Sequence, residues 1–81
     1  MQRLFTQADL MNLSSDEIIK IFKGRIIRVF QNDGEQLEGW VYNTDISYPH
    51  NHFSGFLVQL SGSQIEKSIN LQFIHHVEII I

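Results

Sequence analysis

The chain reads as a mainly β fold, in which an N-terminal helix leads into about five short strands bent into a small barrel. One domain accounts for residues 1–81. Three observations predict this. Ser14-Ser15-Asp16-Glu17 forms a capping box ahead of a short apolar run. From Gly24 onward the apolar period shortens from that of a helix to two. Gly39 interrupts the second of the strands, where a sharp bend or a close backbone approach favours a residue without Cβ.

The elements follow in order. Leu4, Phe5, Ala8 and Leu10/Met11 have spacing compatible with a weak helix within residues 1–13. After the capping box, Ile18, Ile19, Ile21 and Phe22 precede Gly24, which predicts a helix over about 15–23 and a barrel over about 25–81. Arg25 to Phe30 is rich in β-branched residues and ends at Asn32-Asp33-Gly34, a turn tripeptide, so it enters a hairpin. The return strand, about 35–43, puts Leu37, Gly39 and Val41 on one face and Glu38, Trp40 and Tyr42 on the other. Residues 44–54 hold the only proline and read as a long loop, a place where small domains carry function. Gly55 to Leu60 is a third strand, followed by a turn at Ser61-Gly62-Ser63. Two further strands occupy 65–81, separated by a tight turn near His75-His76. The pattern is that of an SH3-like barrel.

Composition narrows the function. At 43% hydrophobic and 19% charged, the sequence is too apolar for a disordered chain. Six Lys+Arg against nine Asp+Glu leave a net charge of −3, so the broad basic surface of a phosphate-neutralising protein is missing and any nucleic-acid contact is local. With no cysteine there is no disulfide framework, no cysteine-based zinc site and no thiol nucleophile. The first residues lack an apolar signal region, and no stretch approaches the roughly 18 apolar residues of a membrane span. The expectation is a soluble, cytoplasmic protein with no membrane partner.

The stretch Ile27 to Asp45 carries a family resemblance. Gly34 closes the turn, Gly39 follows five residues later and Asp45 six after that, with apolar Ile27 and Val29 ahead of the turn and Leu37 and Val41 after it. This spacing resembles the first motif of the Sm-like family, the Hfq type included. Phe73-Ile74-His75-His76-Val77-Glu78-Ile79-Ile80 looks like the second Hfq motif, with His75 on the family's histidine and Ile74 where the family has lysine. The resemblance implies the helix-plus-barrel fold, fold-defining roles for Gly34 and Gly39, a homo-oligomeric ring closed through strand edges, and binding of single-stranded RNA. The implied RNA site gathers Asp45, Tyr48, Asn51, His52, His75 and His76, with Asp45 orienting the loop.

Each candidate also has a plainer reading. The loop aromatics and amides around Tyr48, His50, Asn51 and His52 suit base stacking and polar readout, or else form a solvated loop with Phe53 tucked into the core. Lys20, Lys23, Arg25 and Arg28 form a basic cluster that faces phosphates in a ring, or is a solvated face with nearby acids. Trp40 and Tyr42 form a protein-contact patch, or lie under the N-terminal helix. The apolar tail Val77 to Ile81 is a barrel edge that pairs with another subunit, or an interior strand. Four histidines raise the question of zinc, but adjacent strand residues point apart, and neither a metal nor another cofactor is expected. No phosphate loop, His-Glu-x-x-His pair or nucleophile elbow occurs, and Asp45 with His50 or His52 lacks a nucleophile, so no enzyme is expected. The rival to RNA binding is an SH3-like protein-interaction module that uses Trp40, Tyr42 and the 44–54 loop.

Overall fold

A computed structural model describes residues 3–47 and 52–81. A short strand β1 (Leu4–Thr6) leads directly into helix α1 (Gln7–Asn12) and then α2 (Ser15–Phe22). The sheet continues with β2 (Ile26–Gln31), β3 (Gln36–Ser47), β4 (His52–Leu60) and β5 (Glu66–Asn70), and a 3₁₀ turn (Leu71–Phe73) delivers β6 (Ile74–Ile79). All pairings are antiparallel in the order β1-β6-β2-β3-β4-β5.

Both helices start on reciprocal caps. The Thr6 hydroxyl accepts the Asp9 N–H while an Asp9 carboxylate oxygen accepts the Thr6 N–H; Ser14 and Glu17 do the same for α2. Because the Ser14 backbone N–H, and then its hydroxyl, hydrogen-bond the Glu17 carboxylate, that group titrates below its ordinary value of 4.5. Its folded pKa is depressed, so the contribution to stability is present above the unfolded value and is lost as pH falls through the folded one. Ser14→Ala is expected to cost about 1 kcal/mol and to lower the melting temperature by roughly 4–8 °C. Melts taken between neutral pH and about pH 3 should fall less steeply for Glu17→Gln than for the unmodified chain, and parallel curves would remove the cap from the account.

The helices bury Leu10, Ile18 and Phe22 against the inner face of the sheet, where they meet Phe5, Ile27, Val29, Val41, Phe56, Val58 and Val77. Phe22 sits at the centre: its ring meets Phe5 and Phe56 edge-on at 5.0 Å each, and Phe56 meets Phe53 at 4.8 Å. The opposite face is open. It carries Arg28, Phe30, Glu38, Trp40 and Tyr42, in the alternation the sequence predicts for β2 and β3.

Several expectations change. There are six strands rather than five, and no pairing joins the terminal strands β1 and β5 among the described residues, so the hydrogen-bonded sheet is open where a closed barrel is expected. The extra strand is β1, three residues too short to show a period. A helix does form before the capping box, but only over Gln7–Asn12. The long loop contracts, because β3 runs to Ser47 and β4 begins at His52. Register shifts at Val41/Asn43 and Asp45/Ile46 hide the alternation of that stretch. The turn expected at His75-His76 occurs instead at Leu71–Phe73, where Asn70 Oδ1 caps the Gln72 N–H. Of the two readings of the apolar tail, the interior one holds: β6 lies between β1 and β2. Among the described residues, no helix is long and apolar enough to cross a membrane.

Candidate functional site

The two C-terminal histidines are brought together by a defect in pairing. Phe30 opposes His76 and Gln31 opposes Ile74, which leaves His75 as the extra residue of a β-bulge. In a regular strand neighbouring side chains face opposite ways, and the bulge cancels that alternation here. The two Nδ1 atoms lie 2.7 Å apart, so one ring donates an N–H and the other accepts it. Their centroids are 5.0 Å apart at 76°, and the His76 ring stacks on Phe30 at 4.2 Å and 14°. His75 is exposed and His76 half-buried.

Phe73, just before this strand, is 54% exposed. Its backbone is held while its ring is exposed: the Asn32 N–H donates to the Phe73 carbonyl at 2.9 Å, and Asn32 Nδ2 donates to the Gln72 carbonyl at 3.0 Å. From the other side, Gln7 Nε2 donates to the Leu71 carbonyl at 3.0 Å. The hairpin turn and the start of α1 therefore fix the 3₁₀ turn in place.

On the other side of that turn is a cleft of about 570 Å³. Leu10, Leu13, Phe53 and Leu71 give it apolar walls, and Gln7, Ser47, His52, Ser54, Asn70 and Gln72 give it hydrogen-bonding groups. His52 reaches it because Ser47 and His52 are the last register pair of β3 and β4. Asp45, exposed, lies two residues before Ser47 at a bulge and opposes Gly55. Tyr48 and Asn51, with Pro49 and His50, lie outside the described residues. Phe53 is buried, as the plainer reading of the loop has it.

The predicted site residues thus fall into two groups, His75 with His76 on the bulge and His52 at the cleft. Among the described residues no hydrogen bond or ring contact joins them, and Leu71–Phe73 lies between them along the chain. Sequence reasoning misses Phe30 as a platform and misses the cleft. For Phe30 a signal exists: it is out of phase with core residues Ile27 and Val29, which marks an aromatic on the outer face. The cleft draws on α1 and on the ends of β4 and β5, and has no local signature.

Arg28 Nη2 is 2.9 Å from Glu38 Oε1, and its Nη1 is 3.9 Å from Glu78 Oε1, so this member of the basic cluster is engaged by acids on both neighbouring strands. Trp40, 44% exposed, has its ring 6.1 Å from that of Tyr42 and is not buried beneath a helix. A hydrogen bond to the Glu66 carboxylate raises the Tyr42 hydroxyl above its ordinary value. Comparison with protein-family models, with curated proteins and with solved structures finds no match.

Proposed function

We propose that the protein is an Sm-like, strongly bent β protein that binds single-stranded RNA by stacking and polar base contacts, and that its copies associate through strand edges into a homo-oligomer. The observation that carries the reading is the bulge at His75, which sets an exposed imidazole beside the His76–Phe30 stack, with exposed Phe73 two residues earlier. Stacking on such rings contributes about 1–3 kcal/mol per base and needs no phosphate neutralisation, which suits a chain of net charge −3. From there the path of a strand continues past Gln72 to the neutral donors and acceptors of the His52 cleft. The Gly34-x4-Gly39-x5-Asp45 pattern and the return of β6 to β2 support the Sm-like reading. The role is one of binding rather than catalysis, and a cytoplasmic setting is part of the proposal.

Among the described residues, the sheet edges are those of β1 and β5, because β1 covers β6. Lys67 on β5 disfavours indiscriminate edge pairing and leaves a specific partner edge as the better match. Sedimentation velocity of labelled oligo-U and oligo-A mixed with the protein tests both halves together. The labelled strand is expected to move with a particle several times the mass of one chain, and His75→Ala with His76→Ala is expected to release it.

A second reading is favoured by one observation, the open Trp40–Tyr42 pair flanked by the Glu38 and Glu66 carboxylates. This face suits a basic peptide in an SH3-like interaction module. A protein that sediments as a monomer and leaves the oligonucleotides behind would favour it.

A further inference from the structure

We propose that the His75–His76 bulge is a two-imidazole site for a tetragonal divalent transition metal, selective for Cu²⁺ over Zn²⁺. The inference stands apart from RNA binding and rests on the geometry of the pair. The sequence alone argues against such a site, since neighbouring strand residues point to opposite faces. The bulge removes that objection.

The spacing of the donors selects the ion. With metal–nitrogen bonds of about 2.0 Å, two imidazole nitrogens must lie about 2.8 Å apart for a right-angled arrangement and about 3.3 Å apart for a tetrahedral one. The two Nδ1 atoms already stand 2.7 Å apart. Tetragonal ions accept this bite once both rings turn so that their Nδ1 lone pairs leave the N–N line and converge on the ion, whereas tetrahedral Zn²⁺ also requires the rings to separate. His76 resists separation, because its ring lies against Phe30 and its backbone lies between β1 and β2. Imidazole is a good donor for copper, and Cu²⁺ heads the divalent affinity series.

The protons balance simply. In the metal-free pair, one ring carries its proton on Nδ1 and donates it to the other Nδ1. On metal entry that proton moves to Nε2 of the same ring, and both Nδ1 lone pairs turn to the ion. A neutral pair therefore binds without net release, and a singly protonated pair loses one proton to solvent. Among the described residues no group of three or more His, Cys, Asp or Glu gathers to hold a metal. The remaining positions are then filled by water, which makes the site open and exchangeable.

The test titrates the full chain with Cu²⁺, Ni²⁺ and Zn²⁺ by calorimetry, with electron paramagnetic resonance of the copper form and proton NMR of the four histidine rings. One Cu²⁺ per chain with two coupled nitrogens is expected, broadening the ring signals of His75 and His76 before those of His50 and His52. Zn²⁺ should bind more weakly. His76→Phe keeps an aromatic ring against Phe30 but removes the donor, and His75→Gln alters an exposed position. Each should weaken Cu²⁺ by more than the roughly 10–100-fold that loss of an outer-sphere partner costs, with the amide spectrum of the fold retained. Unchanged Cu²⁺ affinity in the two folded variants, first broadening at His50 and His52, or Zn²⁺ binding as tight as Cu²⁺ would each overturn the assignment.

Discussion

Phe22→Ala is expected to leave the chain largely unfolded at 37 °C. The Phe22 side chain is fully buried and joins the second helix to two strands far apart in the sheet, through edge-on contacts with Phe5 on the terminal strand β1 and Phe56 on β4. Truncating a buried phenylalanine costs about 3–5 kcal/mol, the sum of lost transfer energy and the cavity left behind. A chain of 81 residues has in all roughly 4–12 kcal/mol of stability, so this one substitution removes a large share. Phe22→Leu, which keeps most of the volume, should cost far less. Urea denaturation measures both. An alanine variant within about 1 kcal/mol of the parent would mean that α2 does not pack where described.

Gly39→Val is expected to be as severe for a different reason. Gly39 lies in the middle of β3, opposite Ile27 on β2 and Leu60 on β4. A Cβ built there runs into the Gln59 carbonyl oxygen and Val58 Cγ1. The first of these is backbone and has nowhere to move, so the β3–β4 pairing itself must shift. Overpacking usually costs about 1–3 kcal/mol, and a clash with backbone belongs at or beyond the upper end. Gly34 is the contrast. At φ +90° it has open space around it, so Gly34→Ala costs only the left-handed strain, about 1–2 kcal/mol. Equal melting temperatures for Gly39→Val and Gly34→Ala would show that the close strand approach is absent.

These two glycines also mark how far the fold is legible in the sequence. Asn32-Asp33-Gly34 announces its turn through local chemistry, and the Ser14–Glu17 box announces α2 in the same way, so both are found to within a residue. Gly39 is flagged as a bend or a close approach, and the structure supplies the specific partner, the β4 backbone. Local signals fail where the period is broken. The bulges at Val41/Asn43 and Asp45/Ile46 make the ends of β3 and β4 look like loop, and β1 is too short to have a period.

The candidate site divides along the same line. His75 and His76 are legible as residue types in a motif, but the alternation of a regular strand separates them, and only a pairing register shows the bulge that unites them. Phe30 joins them by cross-strand position, and the cleft at His52 is assembled from segments far apart in sequence. A tertiary arrangement of this kind leaves no trace within one window of the chain.

We propose that this small acidic protein holds RNA by stacking on an imidazole-aromatic surface. Sedimentation velocity with labelled oligo-U at moderate salt tests it most directly. The label is expected to move with a particle several times the mass of one chain, salt is expected to weaken this little because few phosphates are neutralised, and the His75→Ala, His76→Ala variant is expected to leave the label at its own slow boundary. A label that stays behind with the unmodified protein, at low salt as well as moderate, would contradict it.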